Sequence, residues 1–387
     1  MKHAPADVGA GRRTILRPPP LDARPTGRQH PGPLRYLYHM SIQPLALFML
    51  CSLALAGQVP ASAGEAPAPA GQAPVKVIVD TDMDSDCDDV GALAMMHAFA
   101  DAGEAEILGI AVSSHHAWSA PCCDAIDTWY GRPDIPIGAP KGFAAQSTSK
   151  FAKVIADRFP HDLKSAAEAE DAVLLYRRLL LAQPDDSVVI VTIGDLTNIA
   201  DLLKSPATGG QPDGITLVRQ KVRLWACMGG NFIGKPAHDD LKLSNNNFTG
   251  DKAGSLYAIQ HWPTRLVFVG REIGSVPSGL KAGARLRTLP AEHPVRVGYE
   301  AYFGGEAKDR HVADQTAVLF AVRGLCDYWD LEAKGFMDLQ PDMTFTWNYA
   351  ADRHQYLLKH TVDGKANDHA IEAVIEGLMM HQPKLRP

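Results

Sequence analysis

The sequence predicts an α/β fold: a single domain with a mostly parallel central sheet flanked by helices. Two observations predict it. Short runs of β-branched and apolar residues alternate with longer segments whose apolar residues recur at helical spacing. Neither an internal repeat nor a shift in composition divides residues 75–387. Because strands that alternate with helices need parallel crossover connections, we expect a Rossmann-like core with helices on both faces.

The individual strands and helices follow from these patterns. Runs with strand composition occupy residues 75–79, 107–112, 135–138, 187–193, 222–228 and 264–269. Helical spacing marks residues 90–102, 122–130, 172–181, 196–203, 253–260 and 314–322. In a parallel sheet, ligands bind beyond the carboxyl ends of the strands. The side chains and backbone groups to examine are therefore those at the strand ends, namely Asp80, Ser113, Gly194, Gly229 and Arg271.

The first 74 residues differ in character from the rest. Residues 1–39 are rich in Pro, Arg and Gly without apolar periodicity, which indicates a disordered or wrongly assigned N-terminal extension. Residues 40–63 contain an apolar stretch too short for a comfortable membrane span and end in a small-residue cleavage pattern, which is typical of a signal peptide. Residues 64–74 form an Ala/Pro linker. The sequence therefore predicts a periplasmic or secreted protein without stable membrane insertion after leader removal, with an uncleaved anchor as the alternative.

Charge and cysteine content argue against two classes of protein. The formal net charge of −6 lacks the basic excess that displaces counterions from a polynucleotide, so no nucleic-acid partner is expected. The cysteines that follow the leader are odd in number and irregularly spaced, which fits neither a disulfide scaffold nor a zinc site. A small-molecule ligand suits this composition better.

An acidic loop follows the first predicted strand. Residues 80–89, Asp-Thr-Asp-Met-Asp-Ser-Asp-Cys-Asp-Asp, place six carboxylates in ten residues. Packed at a strand-to-helix junction, these groups repel one another and take up protons unless a cation compensates them. Oxygen ligands suit a hard ion, with calcium first and magnesium second. The loop therefore predicts a cation site.

The acidic loop also admits three other interpretations. An EF-hand needs Gly at its sixth position and Glu at its twelfth, but counting from Asp80 gives Ser85 and Gly91, so this interpretation fails. A metal-dependent phosphatase with an Asp-x-Asp nucleophile after its first strand stays open. A solvated loop without function is disfavoured because an apolar strand and an apolar helix bracket it.

Six segments resemble, in the same order, the nucleoside hydrolase family of the inosine–uridine-preferring type. They are the Asp-x-Asp and Asp-Asp halves of the acidic loop, the strand at residues 108–112, the Gly-x-Leu-Thr-Asn-like segment at 190–198, the Met-Gly-Gly strand end at 228–230, the Asn-rich segment at 245–251, and the late Asp at 314–318. The turn at residues 83–87 is two residues longer than the commonest form. It therefore stays open whether Asp86, in place of Asp88 or Asp89, matches one residue of the family's Asp-Asp pair.

The resemblance implies a nucleoside hydrolase-like domain over residues 75–387 that binds Ca²⁺. The carboxylates of Asp82, Asp89 and Asp314 and the backbone carbonyl of Ile193 would hold the ion. Asp82 would also act as general base toward the attacking water. The implied activity is calcium-dependent cleavage of the N-glycosidic bond of ribonucleosides to base and ribose.

The resemblance also implies a set of residues that bind the substrate. Asp88 and Asn247 would bind the ribose, and Asn245 stands where the family has a sugar-binding Glu. His116 follows the second strand near a point where family members often have a ligand-contacting Asn. The small-molecule substrate is expected to be a nucleoside or related riboside. By analogy with the family, a homo-oligomer is a further expectation.

The sequence departs from the family at the late aspartate. The family has a His immediately before it, which helps the base to leave, whereas this chain has Ala313. Leaving-group help must then come from another residue, and His311 is the candidate acid. Together with Asn245, this departure keeps open a non-catalytic ribose- or nucleoside-binding protein that retains the metal site.

Overall fold

The structure is a computed structural model that describes residues 73–232, 246–275 and 279–383. The predicted extension, the signal peptide, most of the linker and the sugar-binding candidate Asn245 lie outside the described residues. Among the helices of the described ranges, none combines the length and the apolar character needed to cross a membrane.

The described residues form fifteen strands and twelve α-helices. The strands are β1 (Val75–Thr81), β2 (Ala105–Val112), β3 (Ile137–Ala139), β4 (Glu170–Asp171), β5 (Val188–Thr192), β6 (Val222–Met228), β7 (Leu266–Val269), β8 (Lys281–Ala282), β9 (Arg310–His311), β10 (Trp329–Glu332), β11 (Phe336–Leu339), β12 (Phe345–Asn348), β13 (Gln355–Lys359), β14 (Thr361–Val362) and β15 (Lys365–Ala366). The helices are α1 (Asp88–Ala102), α2 (Ser119–Trp129), α3 (Ala152–Arg158), α4 (Ala172–Leu181), α5 (Thr197–Lys204), α6 (Gly214–Lys221), α7 (Asn246–Thr249), α8 (Lys252–His261), α9 (Arg271–Gly274), α10 (Pro294–Phe303), α11 (Ala313–Arg323) and α12 (Asp368–Met379).

Nine of these strands form one sheet in the order β10-β13-β7-β6-β5-β1-β2-β3-β4. Every neighbouring pair is parallel except β10 with β13 at one edge. The predicted fold class is therefore confirmed. The central strand β5 is buried throughout and apolar up to its final Thr192, and β1 is buried from Val77 onward, as expected when helices cover both faces of a parallel sheet.

The C-terminal region, whose place the sequence left open, completes the domain. Strand β13 inserts between β7 and β10 in the main sheet. Strands β11 and β12 form a separate antiparallel pair, and α12 packs against α1. A polar helix was predicted in this region, as α12 shows, but the strands were not, because they are short and their burial patterns are irregular.

The topology gathers several loops at one edge of the sheet. Strands β2, β1, β5 and β6 are parallel neighbours, so their carboxyl ends lie side by side. The acidic loop leaves β1 there, Ser113 follows β2, Ile193 follows β5, and Gly229 follows β6. Helix α11 packs against α1, β5 and β6, which brings Asp314 in its first turn to the same edge.

Candidate active and metal site

A cavity of about 240 Å³ lies at this carboxyl edge. One part of its wall is acidic, a second comes from the ends of β5 and β6 with α7, and a third is basic. The lining residues are Asp82, Ser85, Asp86, Asp88, Ile193, Met228, Asn247, Arg271, Ser275, Arg310, His311, Ala313 and Asp314. The cavity thus contains six of the nine site residues predicted from the sequence, drawn from segments far apart along the chain.

Three carboxylates converge beside the cavity. Asp86, Asp89 and Asp314 each offer one oxygen, and the three oxygens lie within 4.8 Å of one another. Asp89 and Asp314 were predicted as cation ligands, whereas Asp86 comes from the longer turn. Asp82 lines the same cavity, and its pKa is raised by burial and then by the charges of Asp89, Asp84 and Asp314. Asp82 is therefore near the trio but is not one of its members.

The start of α1 fixes one of these carboxylates, that of Asp89. Thr81 Oγ1 donates a hydrogen bond to Asp89 Oδ1, and the Met83 backbone N–H donates to the same oxygen over 3.3 Å. Asp88 and Asp89 form the first turn of the helix, where the helix dipole stabilises negative charge. Burial nevertheless raises the pKa of Asp89 to about 8. This residue is thus held by two donors and still favours protonation.

The donor set fits a hard divalent cation. Asp88 Oδ1 is buried and has no hydrogen-bond partner among the described residues, although it belongs to a cavity-lining side chain. Burial and neighbouring carboxylates also raise the pKa of Asp88 and of Asp314. A buried carboxylate oxygen without a donor is unfavourable unless a ligand satisfies it. Carboxylate oxygens in this number are the ligands that calcium or magnesium takes.

Ile193 and Asn247 adjoin the acidic wall. Asn247 Nδ2 donates to the Ile193 carbonyl over 3.1 Å and to the Met228 carbonyl over 3.3 Å. Both Asn247 and Ile193 line the cavity, as expected for a sugar contact and a carbonyl ligand. A carbonyl oxygen has a second lone pair, so the bond from Asn247 leaves Ile193 able to accept another partner.

Asp80, the first aspartate of the acidic loop, has a different environment. Its carboxylate accepts hydrogen bonds from Tyr176 Oη at 2.8 Å and from Asn198 Nδ2 at 3.2 Å, and Asn198 also donates to the Val112 carbonyl. Burial raises the pKa of Asp80 to about 7, against the lowering effect of those donors. Asp80 does not line the cavity. It ties β1 to α4 and α5 and so positions the loop that follows.

Replacing Tyr176 by Phe is expected to destabilise the protein by about 1–3 kcal/mol, since the Asp80 carboxylate loses a buried donor. The free energy of unfolding from denaturant titration measures this. Tyr257→Phe, on the half-buried face of α8, is the matched control and should change stability little. Equal stability of the two variants would contradict the anchoring role of Asp80.

Gly194 allows the β5–α5 turn to pack against the acidic loop. A Cβ atom at this position would lie 2.4 Å from the backbone N of Asp82 and 2.9 Å from the backbone C of Thr81. Backbone atoms cannot move aside as a flexible side chain does, so the close approach requires glycine.

Gly194→Ala is expected to cost about 1–3 kcal/mol of stability and to displace Asp82. Denaturant unfolding and calcium titration would measure both effects. Gly142→Ala, where an added Cβ meets nothing within 4 Å, is the control. A Gly194→Ala protein with unchanged stability and cation affinity would show that the turn tolerates the methyl group.

His116 occupies the far side of the acidic loop. Its Nδ1 lies 3.3 Å from Ser119 Oγ. Burial lowers the pKa of His116, and the negative charge of Asp84 opposes that lowering. Ser114 Oγ donates to the Asp82 carbonyl over 3.0 Å, so this group of residues supports the loop backbone. His116 is not among the cavity-lining residues. Its substrate-binding role stays a prediction.

Of the basic residues in the wall, His311 was predicted as a site residue and Arg271 as a strand-end residue, whereas Arg310 was not predicted. Arg310 Nη2 donates to Asp86 Oδ2 over 2.5 Å, and Arg271 lines the cavity nearby. His311 Nδ1 is buried without a partner among the described residues. Burial lowers the pKa of His311, and the charges of Arg310, Lys281 and Arg271 lower it further. Arg310 precedes α11 in a two-residue strand, which gives no recognisable sequence signal.

Comparisons with known proteins agree with this geometry. Residues 77–254 match the family described as inosine-uridine preferring nucleoside hydrolase. A comparison with curated proteins finds no match.

Several solved structures share the fold. An inosine-guanosine nucleoside hydrolase has a TM-score of 0.56 at 18% identity, covering 79% of this chain and 98% of that one. A purine-preferring ribonucleoside hydrolase from Gardnerella vaginalis has a TM-score of 0.56 at 15% identity, covering 79% and 99%. The type III effector protein XopQ, complexed with adenosine diphosphate ribose, has a TM-score of 0.54 at 15% identity, covering 80% and 93%. Identities this low show a common fold.

The matched range begins in β1 and ends in α8, so it contains the acidic loop, the Ile193 turn and Asn247. These are the segments that place predicted site residues around one cavity. The chain thus matches the nucleoside hydrolase family over residues 77–254 and shares the fold of solved nucleoside hydrolases.

Proposed function

We propose that this protein is an exported, Ca²⁺-dependent hydrolase that cleaves ribonucleosides to free base and ribose. The family match supports hydrolysis of nucleosides in general. The observation that carries the finer proposal is the convergence of Asp86, Asp89 and Asp314 beside a cavity that Asp82, Asp88 and Asn247 also line.

Asp89, Asp314 and the Ile193 carbonyl would hold the cation, together with Asp82, Asp86 or both. A bound divalent cation supplies Lewis acidity toward water and neutralises the crowded carboxylates. Asp82 accepts the proton of the attacking water, a role suited to a carboxylate whose pKa is raised by burial and by the charges of Asp89 and Asp84. The surrounding carboxylates stabilise the oxocarbenium-like transition state.

Two cavity-lining side chains, Asp88 and Asn247, would hold the sugar. Asp88 Oδ1, buried and without a partner among the described residues, accepts a hydrogen bond from a ribose hydroxyl. Asn247 contacts the sugar from the opposite wall, and its amide orientation is fixed by the Ile193 and Met228 carbonyls. Two fixed contacts orient the anomeric carbon toward the water.

One observation favours a second candidate, a riboside-binding protein without turnover. Ala313 lines the cavity where the family's leaving-group His would stand. The phosphatase alternative loses support, because Asp80, its required nucleophile, is fully buried, hydrogen-bonded to Tyr176 and outside the cavity lining.

The test uses the purified full chain, stripped with chelator and reloaded with calcium. We expect release of ribose from inosine or uridine that disappears on chelation and returns with calcium. Asp314→Asn should abolish release, and Asp157→Asn, an exposed carboxylate on α3, should leave it unchanged. Thermal stabilisation by nucleosides without ribose release would establish the binding protein instead. Cell fractionation tests the export.

A further inference from the structure

One part of the cavity wall is rich in positive charge and adjoins the carboxylates, since Arg310 pairs with Asp86. Arg310 and His311 come from β9, and Arg271 comes from the start of α9. All three line the cavity, as does Ala313. Since the cavity is only about 240 Å³, a ribose on the acidic side brings its base close to this basic wall.

Arg310 is rigidly placed. Its Nη2 donates to Asp86 over 2.5 Å, and its guanidinium lies over the Tyr302 ring at 5.6 Å from the ring centre. Its Nε–H is buried and has no hydrogen-bond partner among the described residues. A fixed, charged donor that lacks an acceptor is what electrostatic stabilisation of a developing anion requires.

This wall is poorly suited to giving a proton to the base. A guanidinium stays charged at any physiological pH and does not act as an acid. Ala313 has no proton to give. The imidazole of His311 lies in the field of Arg310, Lys281 and Arg271, which disfavours its protonated form.

We propose that the base leaves this cavity as an anion, which the Arg310 guanidinium stabilises, and is not protonated by a histidine during bond cleavage. The proposal rests on the proposed nucleoside hydrolysis and specifies its leaving-group chemistry. It also defines the substrate class, namely ribonucleosides whose bases are stable as anions.

The bond changes balance without a further reactant. The N-glycosidic bond breaks, and its electron pair stays on the base nitrogen beside Arg310. Water adds to the anomeric carbon and gives one proton to Asp82. The base anion takes up a proton from solvent after it leaves, and Asp82 returns its proton to solvent. The products are ribose and neutral base.

The bases differ in how well they carry this negative charge. Uracil and hypoxanthine, with carbonyl groups conjugated to the ring nitrogens, are stronger N–H acids than cytosine and adenine. A site that assists by charge alone therefore favours uridine over cytidine and inosine over adenosine. A site with a proton-donating histidine depends less on that acidity.

The experiment compares wild type and Arg310→Met on inosine and on p-nitrophenyl riboside, at saturating calcium. The p-nitrophenolate group leaves as a stable anion and needs little help. We expect Arg310→Met to lower kcat for inosine by about 100-fold or more, which is the loss typical of removing one donor to a developing anion. The same substitution should lower kcat for p-nitrophenyl riboside much less. Arg310→Lys should recover part of the loss.

Two controls separate this role from others. Asp86→Asn keeps the guanidinium but removes the charge that holds it, and should preserve the activity ratio between the two substrates. His311→Asn should leave that ratio and the alkaline limb of the pH profile near wild type.

The proposal is overturned if Arg310→Met lowers kcat for both substrates by the same factor, or if His311→Asn alone abolishes inosine cleavage. It is also overturned if uridine and cytidine are cleaved at equal rates. Failure to hydrolyse even p-nitrophenyl riboside would instead refute the proposed function itself.

Discussion

Replacing Asp82 by Asn is expected to lower kcat for ribonucleoside hydrolysis by about 10³-fold, within the range that general acid–base catalysis supplies. Asn has no basic oxygen to accept the proton of the attacking water. The same substitution should stabilise the cation-free protein, because burial and the neighbouring charges of Asp89, Asp84 and Asp314 oppose the ionised form of Asp82. A catalytic loss together with a gain in stability is the expected signature.

The two effects are measured separately. Ribose release at saturating calcium gives kcat, and the denaturation midpoint in chelator at pH 8 gives stability. Asp157→Asn, whose carboxylate is exposed and pairs with Lys153, should change neither quantity. If the Asp82→Asn protein kept kcat within tenfold of wild type, the base would have to be another carboxylate of the acidic loop.

The second large effect is a loss of stability with rising pH in the cation-free protein. Burial raises the pKa of Asp89 to about 8 and the pKa values of Asp80, Asp195 and Glu272 to about 7. In the unfolded chain these groups titrate near pH 4. Because the folded state binds protons more tightly, their contribution is complete below about pH 4 and is lost as the pH rises toward 7–8.

A single shift of the size found for Asp80 corresponds to about 4 kcal/mol of stability. Calcium should reduce the loss, since it replaces the protons at Asp89 and its neighbours. Calcium should leave the contribution of Glu272 unchanged, as Glu272 lies outside the cavity lining.

The measurement is the free energy of unfolding at pH 5 and pH 8.5, with chelator and with calcium. We expect a marked fall between the two pH values in chelator and a smaller fall in calcium. Asp89→Asn should flatten the dependence in chelator, whereas Asp157→Asn should follow wild type. A profile that is level in chelator would show that the acidic loop is neutralised by the protein alone.

The fold was predictable because its central strands carry their own signal. β5 is apolar up to its last residue, β1 is rich in Val and Ile, and β6 and α4 begin and end at the predicted residues. Elements that depend on distant partners gave no such signal. β9 has two residues and is defined only by its pairing with β8.

The site was predictable to the extent that its residues stand next to recognisable strands and helices. Asp89 and Asp314 lie in the first turns of helices, and Ile193 directly follows a strand, so their positions follow from those elements. Asp86 lies in a turn whose added length decides where its carboxylate points. Its proximity to Arg310 depends on a contact across 224 residues, which local sequence does not encode.

The position of β13 bears on when the domain can become complete during synthesis. This strand lies between β7 and β10, so the parallel ladder beyond β7 stays unfinished until residues near the C-terminus have left the ribosome. Until then β7 presents an open edge that other chains can pair with. Nascent chains, and chains truncated before Gln355, are therefore expected to depend on chaperones to stay unaggregated.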